Sequence, residues 1–240
     1  MSRASKTKSN KRDRAAMPYQ EEMLPAEPRS SPIRALTPAQ GRYLNLLRSK
    51  KIIYAIGSAA VGKSFVAGSW AANQLVDKKI DKIILTRAMV EASGEKLGFL
   101  PGEVKDKYAP YVEPYRDIFE ERLGIGFTKY LTSSQRIVGA PMAYMRSKTY
   151  KNCIVIISEA QNATPEQMYL LLTRLGDNSQ LIIEGDDNQK DIRGVSGLSH
   201  SLSMIGHLDF VGVVKFGIDD CVRSEEVKQI MFAYLDKGRS

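Results

Sequence analysis

Gly57-Ser58-Ala59-Ala60-Val61-Gly62-Lys63-Ser64 follows directly on the apolar run Ile52-Ile-Tyr-Ala-Ile56. The octet fits Gly-x-x-x-x-Gly-Lys-Ser/Thr, the phosphate-binding loop. Small residues let successive backbone N–H groups turn inward on a phosphate. Lys63 can reach the β/γ oxygens as a point charge, and the Ser64 hydroxyl can enter the coordination sphere of Mg²⁺. A helix starting near Gly62 would place the phosphate at its N-terminus, where the dipole favours an anion. The alternative is a plain glycine-rich turn. A strand before and a helix after are the context that a phosphate loop requires, and both are expected here.

Working outward, 240 residues with 43% apolar and 26% charged content suit one soluble globular domain with extensions. No stretch approaches the ~18 apolar residues of a membrane span. The opening Met-Ser-Arg-Ala-Ser-Lys-Thr-Lys has no apolar core, so it is not a secretory signal and a cytoplasmic location is expected. Cys153 and Cys221 provide neither a disulfide framework nor a metal spacing and read as reduced structural thiols. The net charge of +8 is uneven, because Arg3, Lys6, Lys8, Lys11, Arg12 and Arg14 stand against Asp13 alone in the first sixteen residues. Such a tail can bind nucleic acid through its phosphates, or it can be a solvated leader.

Residues 1–35 are polar, basic and carry Pro18, Pro25, Pro28 and Pro32, a composition that reads as disordered. Residues 36–240 form the expected domain. Thr37 is an N-cap with Pro38 at the first helical position, and Tyr43, Leu44 and Leu47 follow at helical spacing. Gln40 on this helix could read an adenine edge with its amide, or be a solvated helix residue. A helix is expected over 63–77 and a strand over Asp81–Arg87. The glycine-rich stretch 91–103 is long enough to suggest a functional loop. Helical stretches interrupted by Pro110 and Pro114 run to Leu123, and a short strand lies near Arg136–Val138. Cys153-Ile-Val-Ile-Ile157 reads as a central parallel strand, with Ser158 and Glu159 at its ligand-facing end. Thr164, Pro165 and Gln167 open a helix bearing Met168, Leu171, Leu172 and Leu175. Strands follow at Gln180–Glu184 and Val211–Phe216. A last helix over 223–236 is expected to bury Val227, Ile230, Met231 and Tyr234. Alternating strands and helices predict an α/β fold with a doubly wound, mostly parallel sheet.

Several motifs then coincide in order: the loop Gly57–Ser64, Arg87, Glu95-Lys-Leu-Gly-Phe-Leu-Pro-Gly102, Pro141-Met-Ala-Tyr-Met-Arg146 and Ser158-Glu-Ala-Gln-Asn162. Leu172-Thr-Arg-Leu-Gly176, Gly185-Asp-Asp-Asn-Gln189 and Cys221-Val-Arg223 complete the set. Over roughly residues 36–236 the chain resembles the PhoH family of phosphate-starvation ATPases, related to the first RecA-like domain of superfamily 1 helicases. Its small size is similar to that of copies carried by bacteriophages. The resemblance implies a RecA-like P-loop NTPase with ATP and Mg²⁺ as ligands. Gly57, Ser58, Ala59, Ala60, Val61, Gly62, Lys63 and Ser64 would cradle the phosphates, with Ser64 on Mg²⁺. Glu159 would orient or deprotonate the attacking water, Gln189 with Asp186 would sense the γ-phosphate, and Gln40 falls at the place of an adenine-contacting glutamine. Arg223 would serve as an arginine finger across a subunit boundary, or be a surface residue near the last helix. Arg174, on an exposed helix face, could be only a salt-bridge partner.

One position departs from the pattern. The family carries Asp-Glu-Ala-Gln at this strand end, and here Ser158 replaces the aspartate that holds Mg²⁺ through its water shell. Ser158 can hydrogen-bond such a water but adds no charge, and Asp186 or Asp187 could supply the missing carboxylate. Weaker Mg²⁺ binding and slow hydrolysis are therefore expected. The resemblance implies ATP hydrolysis coupled to single-stranded RNA or DNA by a helicase-like ATPase. Only seventeen residues follow Arg223, so the arginine finger is expected from a neighbouring copy in a homo-oligomeric ring, a hexamer by the resemblance. A nucleotide-dependent interaction switch without appreciable hydrolysis is the second reading. A small-molecule phosphotransferase is the third, with Arg87 and residues 91–103 as its only lid candidates.

Overall fold

Alternate residues of the central strands part to opposite faces of one sheet, because successive Cβ atoms of a strand point opposite ways. Ile53 and Ala55, Ile83 and Leu85, Ile154 and Ile156, and Ile182 share one core with Tyr43, Leu47, Leu75, Tyr115 and Phe119. Tyr54, Ile84, Val155, Ile157, Leu181 and Ile183 share the other with Met145, Met168, Leu171 and Leu198. Strands buried on both faces carry no polar alternation, hence the continuous apolar runs.

The computed structural model describes residues 26–88, 104–146 and 148–237. The strands are β1 (Ile52–Ile56), β2 (Lys82–Arg87), β3 (Ile137–Gly139), β4 (Cys153–Ser158), β5 (Gln180–Gly185) and β6 (Val211–Lys215). They pair in the order β3-β2-β4-β5-β1-β6, every pair parallel. One face holds α1 (Pro38–Ser49), α2 (Lys63–Val76), α3 (Val104–Leu123) and α4 (Ile125–Ser133). The other holds α5 (Pro165–Leu172) and α6 (Gly197–Ile205). The doubly wound α/β sheet expected from the sequence is the observed fold. Ligands of such sheets bind beyond the C-terminal strand ends, where β1 and β5 lead into their loops. No helix among the described residues is long and apolar enough to cross a membrane.

Several expectations change. Helix α3 is continuous through Pro110 and Pro114, because Tyr111, Tyr115 and Phe119 recur every four residues and all are buried. That packing outweighs the hydrogen bonds each proline removes. The final helix α7 (Glu225–Lys237) starts after Arg223 and leaves Ile230 58% exposed. Val227 and Met231 are only half-buried, and the packing of Tyr234 lies outside the described residues. Arg174 sits beyond the end of α5 rather than on a helix face, half-buried, and its carbonyl accepts the Tyr150 N–H.

The basic segment 1–16 and the stretch 91–103, with the motif Glu95–Gly102, also lie outside the described residues. The chain reading as a free tail to residue 35 is already laid on the body at Ser31. Asn73 Nδ2 donates to the Ser31 carbonyl at 2.7 Å, and Ile33 and Ala35 lean on the core.

Candidate nucleotide site

The loop between β1 and α2 is shaped by its glycines. Gly57 has φ +154, and a Cβ there would stand 2.7 Å from the Phe216 carbonyl oxygen. Gly62 has φ +81 at the N-cap of α2, and a Cβ there would meet Gln40 Nε2 at 2.6 Å. Both positions need the backbone that only glycine adopts freely. Outside contacts hold the loop: Gln40 Nε2 donates to the Val61 carbonyl at 3.1 Å, the Val222 N–H to the Ala60 carbonyl at 3.0 Å, the Gly57 N–H to the Gly185 carbonyl at 3.0 Å, and Phe216 abuts Gly57.

A cavity of about 560 Å³ opens over this loop. Its floor is Ala59, Ala60, Val61, Gly62, Lys63 and Ser64, and its walls bring in Gln40, Ser158, Glu159, Glu184, Asp186, Gln189 and Arg223. The residues that the resemblance assigned to the nucleotide thus converge on one space, except Gly57 and Ser58, which do not line it. Their carbonyls accept from Lys63 Nζ at 2.6 and 2.7 Å, so the lysine is folded back on its own loop. Burial lowers the Lys63 pKa, opposed by the charges of Glu184, Asp186 and Glu159.

Glu159 takes a left-handed backbone, φ 54 and ψ 36, at the end of β4. A non-glycine residue held there is strained, as occurs where a side chain must be aimed. Gln161 Nε2 donates to Glu159 Oε2 at 2.7 Å, and Arg87 Nη2 lies 3.5 Å from Oε1. Arg87, a lid candidate by sequence, is therefore the ion-pair partner of Glu159. Gln161 is buried and also reaches the β5 end, accepting the Asp186 N–H on Oε1 at 3.0 Å and donating to the Gln189 carbonyl at 3.4 Å. The sequence showed Gln161 only as a motif letter.

Gln40 is 3% exposed, and besides Val61 its Oε1 accepts the Leu36 N–H at 2.8 Å. Both amide ends are engaged with backbone, and each keeps capacity for one further bond. Arg223, exposed just before α7, also lines this cavity; the sequence reading left it as a finger across a subunit boundary or as a surface residue.

Sequence reasoning missed Glu184. It is 2% exposed, faces the side of the sheet that carries α2 and α3, and accepts from Ser64 Oγ at 2.7 Å and Tyr115 Oη at 3.0 Å on Oε2. Tyr43 Oη reaches its Oε1 at 3.5 Å. Burial raises the Glu184 pKa, and the same burial with this carboxylate's charge holds both tyrosines well above the usual phenol range. The available signal was a carboxylate closing an otherwise apolar strand next to Gly185-Asp186. Ser158 Oγ donates to the Thr86 carbonyl at 3.4 Å.

Among the described residues no group of three or more His, Cys, Asp or Glu is placed to hold a metal by itself. Ser64 Oγ and the carboxylates around Lys63 are hard oxygen donors, the kind Mg²⁺ takes beside substrate phosphates and water. The set fits that cation.

The family model described as PhoH-like protein matches residues 32–235. Protein PhoH of Escherichia coli is 44% identical over 209 residues, spanning 85% of this chain and 59% of that protein. A PhoH-like protein of Bacillus subtilis is 40% identical over 216 residues, spanning 89% and 67% respectively. Among solved structures, the large terminase of a thermophilic bacteriophage aligns over 82% of this chain and 50% of its own, at 10% identity and TM-score 0.46. The Pif1 helicase of Candida albicans aligns over 77% and 40%, at 16% identity and TM-score 0.38.

Proposed function

The chain belongs to the PhoH-like family, and from that premise we propose that it binds ATP with Mg²⁺ on the Gly57–Ser64 loop and hydrolyses it. The observation that carries this is the convergence of Lys63, Glu159, Gln189 and Arg223 on one cavity. Phosphoryl transfer to water needs positioning and charge neutralisation more than covalent chemistry. Lys63 leaves the Gly57 and Ser58 carbonyls for the β/γ-phosphates. Glu159, aimed by Gln161 and Arg87, orients the attacking water and takes its proton. Gln189 and Asp186 read the γ-phosphate, and Arg223 neutralises developing charge from within the same chain. Mg²⁺ bound beside Ser64 supplies charge stabilisation at the phosphate oxygens.

The turnover is coupled to single-stranded RNA or DNA, a reading that rests on the net charge of +8 and its concentration in the first sixteen residues. The active form is a ring of copies, most simply a hexamer. Exposed Ile230 and Phe232 on α7 and Val222 beside the cavity support such contacts. The test is ATP turnover with and without single-stranded RNA and DNA, beside Lys63→Ala, with light scattering on the same samples. Stimulated turnover abolished by Lys63→Ala is expected. Tight nucleotide binding with no turnover under any condition would instead favour the switch, the reading that Ser158, directed at the Thr86 carbonyl, keeps open.

A further inference from the structure

We propose that the carboxylate missing from the β4 strand end has moved one strand over: Glu184 on β5 is the residue that holds the Ser64 hydroxyl for Mg²⁺. The proposal rests on the ATP-binding function above and assigns its metal-positioning residue.

Strand β5 lies between β1 and β4, and Glu184 pairs in register with Ala55, two residues before the phosphate loop. From there its carboxylate reaches Ser64 Oγ at 2.7 Å while still lining the cavity. A serine hydroxyl has one proton and two lone pairs. Donating that proton to Glu184 turns the lone pairs toward the cation.

Among the described residues the Ser64 hydroxyl bonds Glu184 and none of the other nearby carboxylates. Asp187 Oδ1 accepts from Ser199 on α6 at 2.8 Å, and Asp186 Oδ1 accepts the Asn188 N–H at 3.0 Å. Glu159 is taken by Gln161 and Arg87. Ser158 directs its hydroxyl at a β2 carbonyl and brings no charge.

A carboxylate at 2% exposure is expensive to bury unless its oxygens are hydrogen-bonded. Here Tyr43, Tyr115 and Ser64 build a hydroxyl cage around it. A caged carboxylate that still lines the cavity fits a group kept for the ligand rather than for the core.

The test compares binding of a fluorescent ADP analogue in excess Mg²⁺ and in excess EDTA, with the Mn²⁺ electron paramagnetic resonance signal as a direct count of bound metal. Outer-shell partners of a metal typically contribute about 10–100-fold in metal affinity. Glu184→Gln is therefore expected to cut the Mg²⁺-to-EDTA affinity ratio by about 10-fold or more and to release Mn²⁺, with affinity in EDTA preserved. The amide is isosteric and removes a buried charge, so the fold should hold. If its melting temperature prevents titration, Glu184→Asp keeps the charge but withdraws it by one methylene and should lower the ratio in part. In the double variant S158D/E184Q, with the carboxylate returned to β4, the ratio should recover.

An unchanged ratio in the Glu184 variants would overturn the proposal, as would a loss in Ser158→Ala alone. Equal binding by the parent protein in Mg²⁺ and EDTA would overturn it while leaving nucleotide binding intact. No nucleotide binding in either buffer would overturn the proposed function itself.

Discussion

Gln161 Nε2 donates to Glu159 Oε2 at 2.7 Å, while its own Oε1 accepts the Asp186 N–H from the neighbouring strand end. One buried amide thus ties Glu159, the proposed water-orienting residue, to the segment proposed to read the γ-phosphate. Gln161→Ala should lower kcat by about 10–100-fold, the scale of a small misplacement of a catalytic group, and leave the Kd for ADP unchanged. Arg87→Ala should have a smaller effect, since that ion pair is more than a third exposed. Steady-state kinetics with ADP titration checks both. An unaltered kcat in Gln161→Ala would mean that the backbone at Glu159 aims the carboxylate unaided.

Gln40 is committed at both ends, to Leu36 and to Val61. Its removal should loosen the phosphate loop rather than abolish base discrimination. In Gln40→Ala, ATP and GTP affinities should fall together by about 3–10-fold, the worth of one or two hydrogen bonds. Competition binding of the two nucleotides reads this. A selective loss of ATP would show that the amide reads adenine directly.

Cys153 opens the central strand β4 at 2% exposure, and burial pushes its thiol up to about 11. At about pH 8 only about one molecule in a thousand carries the reactive thiolate. The native protein should therefore resist iodoacetamide at Cys153, and label there after denaturation. Mass spectrometry of tryptic peptides reports the site, and rapid native labelling would place Cys153 in a segment that opens locally.

Gln180 joins three elements through one side chain. Its Nε2 donates to the Leu47 and Lys50 carbonyls at 2.8 Å each, and its Oε1 accepts from Trp70 Nε1 at 2.8 Å. Gln180→Ala should lower stability by about 2–3 kcal/mol, because partners are left unpaired rather than replaced. Trp70 is the only tryptophan, so its fluorescence follows the urea transition at the altered site. A change under about 0.5 kcal/mol would show that water replaces the amide.

What was legible in the sequence was local. The loop Gly57–Ser64 needs its glycines and its lysine within a few residues of one another, and the caps at Thr37 and Thr164 form as the residue order predicts. Buried strands announce themselves because both faces must be apolar. The unbroken helix through Pro110 and Pro114 was not legible, since the aromatic packing that sustains it outweighs a local rule. The half-buried α7 was not legible either, because an apolar stripe says that a face wants cover but not whether this chain supplies it.

The sequence by itself determined the α/β fold class and the phosphate loop, because these follow from side-chain period and short-range turn geometry, and the family resemblance named most of the residues at the strand ends. Only the tertiary structure decided what those residues hold. Ser64 meets Glu184 across 120 positions, Tyr43 across 141 and Tyr115 across 69. A carboxylate's role is set by the hydroxyls and strands around it, and the parallel order β4-β5-β1 puts those neighbours in place.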